Sequence, residues 1–356
     1  MRIVCAGGGT LGSVSPLLAV VEELKKKLTQ AVEIKWLGTA DGPEKALVEA
    51  YKITFQTLSC GKFRRYWSLA NIIDVARIFW GFQQALWLFA WWRPDLVLTA
   101  GSFVAVPVGW AAWCYGLPVL VHQQDVCPSL TNRLLAPIAR LITVVWPETL
   151  SHFPRSKAVL TGNPVRSCFL KPPNQPAARA ALGLALNKST VLVMGGGTGA
   201  SFLNNLIECS LGELLPEVQI IHFTGVGKMG QVKTRPGYIV LPFTTDSLTA
   251  LAAADVVISR AGMGAITELA ALSKASIIVP IPLSHQEDNA DYLLQAEAAI
   301  VKNQSTLTKG VLVATLRQLL QQPADMVRLG HNLHKLFPSR AAEAVVREIM
   351  SILKKK

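Results

Sequence analysis

A strand, a glycine turn and a helix occur twice in this chain of 356 residues, and this repeat limits the possible folds more than any other feature. Residues 2–6 form an apolar run that enters Gly7-Gly8-Gly9-Thr10-Leu11-Gly12. Residues 190–194 enter Gly195-Gly196-Gly197-Thr198-Gly199-Ala200 in the same way. An amphipathic pattern follows each turn, over 17–28 and 202–211. We therefore expect one α/β unit that is present twice.

Further short runs of Val, Ile and Leu alternate with helical stretches. They lie at 34–37, 96–99, 119–121, 142–145, 220–223, 239–241, 256–259 and 277–280. Their hydrophobicity is continuous rather than alternating, which indicates parallel strands that are covered on both faces. The sequence predicts two Rossmann-like, doubly wound parallel-sheet domains that face a central cleft, with ligands beyond the carboxyl ends of the strands.

The boundary between the two domains is expected near residues 162–166. The proline-rich segment 171–176 that follows is typical of a surface connection. We assign 1–163 to the N-terminal domain and 164–338 to the C-terminal domain. A last helical pattern within 339–356 could pack back on the N-terminal domain or on the C-terminal one, and the sequence does not decide between them.

Composition excludes several classes of protein. With 51% hydrophobic and 16% charged residues, the chain has material for two cores and is not a disordered protein. Its six cysteines form no C-x-x-C pair, which favours reduced thiols in a cytosolic chain over a disulfide framework or a zinc site. The charge-free span 96–121 is broken by glycine and proline, so we expect a buried β-α-β unit rather than a transmembrane helix.

The net charge of +12 predicts an anionic partner, which could be nucleic acid, anionic lipid or a phosphorylated ligand. Nucleic acid is disfavoured because the sequence has no RNA-binding or helix-turn-helix signature.

Both glycine turns have the spacing G-x-G-x-x-G/A between a strand and a helix, a context in which backbone amides can approach a phosphate. A nicotinamide-binding site would also have an acidic residue at the end of the next strand. The strands that follow the two turns end in Trp36-Leu37-Gly38-Thr39 and Phe223-Thr224-Gly225, where no residue is acidic. A dehydrogenase is therefore disfavoured. The alternative is that the glycines serve only close packing of helix against strand.

A second candidate ligand site follows the apolar run 256–258. The small-residue turn from Ser259 leads to Glu268, which we expect in the first turn of the next helix. Its carboxylate would either accept the hydroxyls of a ribose or interact with the helix dipole. The loop with His285, Gln286 and Asn289 is expected at the same edge of the sheet.

Residues 62–93 are rich in aromatic and basic side chains. The aromatic residues include Trp67, Trp80, Trp87, Trp91, Trp92, Phe63, Phe79, Phe82 and Phe89. Polar residues recur at spacings of three and four, so a helix here would have a narrow polar stripe and a broad apolar face. Part of that face must be buried against the sheet. Tryptophan beside Arg64, Arg65 and Arg77 is also typical of a helix at an anionic membrane surface.

Several segments together resemble a known family. They are 7–16, 101–104, 116–125, 130–134, 161–166, 195–204, 241–246, 259–271 and 285–289. In order and spacing they resemble the bacterial UDP-N-acetylglucosamine:undecaprenyl-pyrophosphoryl-muramoyl-pentapeptide N-acetylglucosaminyltransferases of glycosyltransferase family 28. The resemblance implies GT-B architecture and an inverting transfer of N-acetylglucosamine from its UDP donor to a polyprenyl-pyrophosphate-linked muramoyl-peptide. That reaction converts lipid I to lipid II in peptidoglycan synthesis.

The resemblance also implies partners and a location. No metal and no cofactor are expected. The chain would attach peripherally to the cytoplasmic face of the cell membrane through 62–93, and other cell-wall synthesis proteins are candidate partners.

Donor-binding roles follow from the same resemblance. Glu268 would bind the ribose, Gly197 would lie beside the diphosphate, and Arg166 would contact the donor from the hinge. His285 or Gln286 would meet the sugar hydroxyls. The remaining donor positions are Thr244, Met263, Gly264, Ala265, Ile266, Thr267 and Asn289.

The acceptor side would be formed by Thr10, Leu11, Gly12 and the loop at Asp125. Two departures from the family pattern lie here. Where the family has Gly-Gly-Gly-Thr-Gly-Gly-His, this chain has Leu11 at the fifth position and Ser13 at the seventh. The histidine that Ser13 replaces is the family's candidate general base. Where the family has His-Glu-Gln-Asn, this chain has His122-Gln-Gln-Asp125, so one carboxylate is lost and another appears two positions later. Because Ser13 cannot accept a proton unaided, Asp125 is the candidate base and His122 the second candidate.

Two other functions stay open. The chain could glycosylate another lipid, such as diacylglycerol. It could instead be a catalytically silent homologue that binds a nucleotide sugar or a lipid intermediate.

Overall fold

The computed structural model describes residues 1–28, 31–61, 70–196, 199–225, 235–241 and 247–354, apart from the side chains of 70–72. The chain divides into two compact units. The first comprises Met1–Arg166 together with Ser339–Lys356, and the second comprises Ser167–Pro338. The division therefore lies after Arg166 rather than after Asn163, and the C-terminal segment is part of the first unit.

The first unit alternates strands and helices. Its elements are β1 (Arg2–Ala6), α1 (Ser15–Lys27), β2 (Glu33–Gly38), α2 (Glu44–Ala50), β3 (Thr54–Thr57), α3 (Ala70–Trp92), β4 (Leu96–Thr99), α4 (Ala105–Cys114), β5 (Val119–Gln123), α5 (Leu130–Leu135), β6 (Leu141–Val144) and β7 (Ala158–Leu160). Its described strands form one parallel sheet in the order β3-β2-β1-β4-β5-β6-β7. The strand order reverses between β1 and β4, so the loops after these strands lie at the position where open α/β sheets bind ligands.

The second unit follows the same plan. Its elements are α6 (Gln175–Ala181), β8 (Thr190–Met194), α7 (Ser201–Leu214), β9 (Gln219–Phe223), β10 (Tyr238–Leu241), α8 (Leu248–Ala253), β11 (Val256–Ser259), α9 (Met263–Ala271), β12 (Ala275–Ile278), α10 (Gln286–Gln295), β13 (Ile300–Val301), α11 (Lys309–Leu320) and α12 (Pro323–Lys335). The described strands are again parallel, in the order β10-β9-β8-β11-β12-β13, and the order reverses between β8 and β11.

Helix α13 (Ala341–Lys354) completes the first unit. Its buried side chains Val345, Val346 and Ile349 share a core with Leu17 and Leu18 of α1. The opposite face of the sheet is covered by α3 and α4. Both faces of the strands are therefore buried, which explains their continuous hydrophobicity.

The predicted pair of parallel-sheet α/β domains is confirmed. Each apolar run identified from the sequence overlaps a strand, and the span 96–121 folds as β4, α4 and β5. Among the described residues, no helix combines the length and the apolar character that crossing a bilayer requires.

Candidate functional site

The first glycine turn follows β1, and its first three amides are bonded within the protein. Gly7 N donates to the carbonyl oxygen of Leu37 at 3.1 Å. Gly8 N donates to Ser102 Oγ at 3.2 Å, and Gly9 N donates to Glu44 Oε2 at 3.1 Å. Within the described part of the chain, the amides of residues 10–13 have no such partner. Only the second half of the turn therefore offers free donors.

The two residues of the first glycine turn that depart from the family pattern are Leu11 and Ser13. Leu11 is half-buried and packs against the core beneath α1, and its backbone is not in the left-handed region. Thr10 is exposed and Gly12 is half-buried. Ser13 is buried, and its Oγ has no hydrogen-bond partner among the described residues. The leucine therefore does not distort the turn, and the position of the missing histidine holds an unsatisfied hydroxyl.

The loop after β4 supports the glycine turn. Gly101 has a φ of 91° and Ser102 a φ of 90°, which is rare for a residue with a side chain. Ser102 Oγ donates to the carbonyl oxygen of Gly8 at 2.8 Å while it accepts from the amide of Gly8. Our sequence analysis did not identify Ser102 as a site residue, because its partner lies 94 residues away.

His122 lies at the end of β5 and is buried. Its Nδ1 lies 2.9 Å from Thr143 Oγ1, and its Nε2 lies 2.8 Å from Asn163 Oδ1. The amide oxygen can only accept, so Nε2 carries the proton and Nδ1 accepts from the threonine. Burial lowers the pKa of His122 to about 4. The histidine is thus neutral near pH 7, with both ring nitrogens in use inside the first unit.

Asp125 lies in the loop after β5 and is half-buried. Gln123 holds this loop, because its Nε2 donates to the carbonyl oxygen of Asp125 at 2.7 Å. Asn132 Nδ2 in turn donates to Gln123 Oε1 at 2.6 Å. Since β1, β4 and β5 are adjacent and parallel, the loops with Ser13, Ser102 and Asp125 share one edge of the sheet.

The second glycine turn follows β8. Gly199 has a φ of 69°, and a side chain there would overlap the carbonyl oxygen of Thr224. A side chain at Gly195 would collide with Ala200. Gly196 has a φ of 80° and open space around it. Two of the glycines therefore serve packing and one faces open space, while Gly197 lies outside the described residues.

Glu268 occupies a different helical position from the one expected. Helix α9 begins at Met263 after Gly262 as N-cap, so Glu268 is in the second turn and not in the first. It is buried, and Ser247 Oγ donates to its Oε2 at 3.1 Å. The first-turn prediction was wrong because α9 begins earlier than expected, at Met263, so the turn after Ser259 is shorter than the sequence indicated. Thr244 lies outside the described residues.

The beginning of α9 exposes backbone rather than side chains. Met263, Ile266 and Thr267 point into the second unit, and Thr267 Oγ1 donates to the carbonyl oxygen of Met263 at 2.7 Å. Gly264 and Ala265 are half-buried and carry almost no side chain. The first amides of a helix have no partner within it, so this end can bind an anionic group.

Two polar side chains of α10 hold the turn before α9. Gln286 Oε1 accepts from the amides of Ala261 and Ile281, each at 3.2 Å. Asn289 is fully buried, and its Nδ2 donates to the carbonyl oxygen of Ala261 at 3.1 Å. His285 is the N-cap of α10 and is exposed. The structure thus brings the start of α9 and residues 285–289 together at one edge of the sheet, although residues 286–289 form the first turn of α10 rather than the predicted loop.

Arg260 is a further residue of this turn that our sequence analysis left without a role. Its guanidinium is buried and donates to the carbonyl oxygens of Val279 at 3.0 Å and Pro280 at 3.1 Å. It also donates to Gln304 Oε1 at 2.7 Å, and burial lowers the pKa of this arginine. Arg260 therefore links the carboxyl ends of β11 and β12.

Arg166, the residue expected to contact the donor, is buried and is the last residue of the first unit before Ser167.

Helix α3 carries an exposed aromatic surface. At 100° per residue, Ile73, Trp80, Trp87 and Trp91 fall within about 40° of one another on the helix. All four are exposed, and Trp91 is 89% exposed. We call these four residues the aromatic stripe. Residues 62–69, which include Trp67, Arg64 and Arg65, lie outside the described residues.

Several polar residues of α3 contact the protein. Asp74 is buried, and its Oδ1 lies 3.4 Å from Arg77 Nη1. Gln84 Oε1 accepts from the amide of Ser59 at 2.9 Å, and a side chain at Gly81 would overlap the Ser59 carbonyl oxygen. Ala85 and Phe89 of the same helix are also buried. Helix α3 therefore packs apolar and polar groups inward, while its outer face carries the aromatic stripe instead of the polar side chains of an ordinary surface helix.

Comparison with known proteins covers nearly the whole chain. The Glycosyltransferase family 28 N-terminal domain matches residues 3–144, and the Glycosyltransferase family 28 C-terminal domain matches residues 190–345. The UDP-N-acetylglucosamine–N-acetylmuramyl-(pentapeptide) pyrophosphoryl-undecaprenol N-acetylglucosamine transferase of Clostridium kluyveri is 33% identical over 362 residues, with 99% of each chain covered. The protein of the same name from Lachnoclostridium phytofermentans is 39% identical over 299 residues, covering 83% of this chain and 82% of the relative.

A solved structure agrees with these relatives. The crystal structure of Acinetobacter baumannii MurG superposes with a TM-score of 0.70 at 26% identity, covering 98% of this chain and 99% of that one. The GT-B architecture expected from the sequence is thereby confirmed. The chain belongs to glycosyltransferase family 28, in the group of the UDP-N-acetylglucosamine–N-acetylmuramyl-(pentapeptide) pyrophosphoryl-undecaprenol N-acetylglucosamine transferases.

Proposed function

We propose that this chain is an inverting glycosyltransferase that moves N-acetylglucosamine from UDP-N-acetylglucosamine to a polyprenyl-pyrophosphate-linked muramoyl-peptide. The observation that carries the proposal is the match to relatives named for this reaction across both domains, at 33% identity over 99% of the chain. An oxygen of the acceptor would attack the anomeric carbon, the bond to UDP would break, and the acceptor proton would pass to a base.

The donor would bind to the second unit at the carboxyl ends of its strands. The amides of the first turn of α9, which have no partner within the helix, suit a phosphate, and the buried Glu268 carboxylate suits two ribose hydroxyls. Gln286, Asn289 and Arg260 would act mainly by holding the turn, because their polar atoms are bonded to its backbone. His285 is exposed at the N-cap of α10 and is, within residues 285–289, the side chain most accessible to a sugar hydroxyl.

Asp125 is the residue that we propose as the general base. It is only half-buried and belongs to a loop at the same sheet edge as the first glycine turn. His122 is a weaker candidate, since its Nε2 proton is donated to Asn163 and its Nδ1 already accepts a hydrogen bond. Ser13 would contribute its free hydroxyl to acceptor binding rather than to proton transfer.

The membrane contact that we propose is the aromatic stripe of α3. Tryptophan side chains favour the interface between lipid and water, and an acceptor linked to undecaprenol is held in a bilayer. Arg77 borders the stripe and has a half-exposed side chain, so anionic lipid would strengthen the contact. Attachment of this kind would be peripheral and on the cytoplasmic face.

The proposed function is tested by turnover of UDP-N-acetylglucosamine with a lipid I analogue. We expect release of UDP and a disaccharide product with this donor, and much slower release with UDP-glucose or UDP-galactose. Diacylglycerol in place of the lipid I analogue tests the alternative acceptor. Binding of UDP-N-acetylglucosamine without turnover on either acceptor would contradict the proposal and support a catalytically silent homologue.

A further inference from the structure

The carboxylate of Glu44 is a fully buried acid that the proposed chemistry does not use. Glu44 is the first residue of α2, and its Oε1 accepts from Thr39 N at 2.7 Å and from Thr39 Oγ1. Its Oε2 accepts from Gly9 N at 3.1 Å. No lysine or arginine in the described part of the chain forms an ion pair with it. Hydrogen bonds from two neighbouring loops therefore stabilise this carboxylate.

The carboxylate of Glu44 is closely surrounded by glycines. A side chain at Gly8 or at Gly42 would overlap the carboxylate of Glu44. A Cβ at Gly38 would lie 3.2 Å from Oε1, inside normal contact distance. Three glycines from two loops thus form a cavity that this side chain fills.

The position of the carboxylate is the one that an anion takes in related turns. In a G-x-G-x-x-G turn between β1 and α1, backbone amides normally approach a phosphate. Here Glu44 accepts from Gly9, Ser102 accepts from Gly8, and Leu37 accepts from Gly7. The first half of the turn is therefore saturated by the protein, whereas the amides of residues 10–13 are left for a ligand.

We propose that Glu44 is a positioning residue that occupies the anion position of the first glycine turn. Its carboxylate holds Gly9 in place, so that Thr10 to Ser13 keep one conformation before the acceptor arrives. It also keeps a nucleotide phosphate from binding at the amide of Gly9. The effect on the acceptor rests on the proposed function, whereas the hydrogen bond by which Glu44 fixes the glycine turn does not.

The experiment compares Glu44→Gln with Glu49→Gln, the same change at an exposed residue of the same helix. The glutamine amide would turn an N–H group toward one of the backbone donors and weaken one anchor. Hydrogen-deuterium exchange of peptides covering residues 7–13 should become at least 10-fold faster in Glu44→Gln and stay unchanged in Glu49→Gln. In turnover assays, kcat should fall at least 10-fold in Glu44→Gln, while the Kd for UDP stays within twofold.

A second variant separates loss of the Glu44 contact from a folding defect. Gly42→Ala displaces the same carboxylate without removing it, and we expect faster exchange and a lower kcat here as well. Unchanged exchange of residues 7–13 in folded samples of both variants would overturn the proposal. Faster exchange with an unchanged kcat would overturn the positioning role. If the wild type shows no turnover, the proposed function fails, and exchange alone decides whether Glu44 holds the turn.

Discussion

Removal of two tryptophans from α3 is expected to abolish binding to lipid vesicles. Trp87 is 73% exposed and Trp91 is 89% exposed. Together they offer roughly 400 Å² to a lipid surface, given about 250 Å² for a whole tryptophan side chain. Burial of half that area at about 25 cal/mol per Å² contributes about 5 kcal/mol. The Trp87→Ala, Trp91→Ala variant should therefore lose more than about 10³-fold in partition coefficient.

Flotation of the protein with vesicles measures this loss. Vesicles of phosphatidylglycerol and phosphatidylcholine should carry the wild type upward, and so should the control Val327→Ala, which removes an exposed apolar side chain from the second unit. Added salt should weaken wild-type binding without abolishing it, because screening acts on the basic residues and not on the tryptophans. Equal flotation of the double variant and the wild type would refute the reasoning.

Four further outcomes are expected. Asp125→Asn should lower turnover about 10²-fold and leave UDP affinity within a few-fold, since loss of a general base acts on the transition state; unchanged turnover would exclude Asp125 as the base. Glu268→Ala should weaken UDP binding by about 1.5–3 kcal/mol in calorimetry, and an unchanged Kd would remove this residue from the site. Gly9→Ala should lower the free energy of unfolding by about 1–3 kcal/mol in denaturant, because Gly9 has a φ of 77° and a Cβ there would lie 2.8 Å from an aromatic ring. Burial lowers the pKa of His122 and His222 from 6.5 to about 4, so the unfolded chain binds more protons below pH 6.5. Urea unfolding should show constant stability above about pH 7 and a loss of up to about 3 kcal/mol per histidine as the pH falls to 4; equal stability at pH 7 and pH 4.5 would contradict this.

The sheets could be predicted from the sequence because their signal is local. A strand that is covered on both faces must be apolar at every position, so runs such as 96–99 and 256–259 are visible without any knowledge of their partners. The glycine turns were visible for the same reason, since strand, turn and helix follow one another within a few residues.

The residues that shape the site were harder to find because their partners are distant. Glu44 binds the amide of Gly9, 35 residues away, and Ser102 binds Gly8, 94 residues away. No spacing rule connects such pairs before the order of β1, β2 and β4 is known.

His122 stays a candidate base, but its environment could not be predicted from the sequence. A histidine at the end of a strand in a loop that matches the family was a reasonable candidate base. Its bonds to Thr143 and Asn163 come from residues 21 and 41 positions away, and they turn the ring into the core. The sequence gives no sign of the direction in which a side chain at a strand end will point.

The position of α13 has a consequence for synthesis. This helix buries Val345, Val346 and Ile349 against α1, yet the whole second unit is translated between the two. Until α13 leaves the ribosome, the apolar face of α1 and the adjoining side of the first sheet lack their cover. The second unit, whose residues are contiguous, can therefore complete its core earlier than the unit that precedes it along the chain.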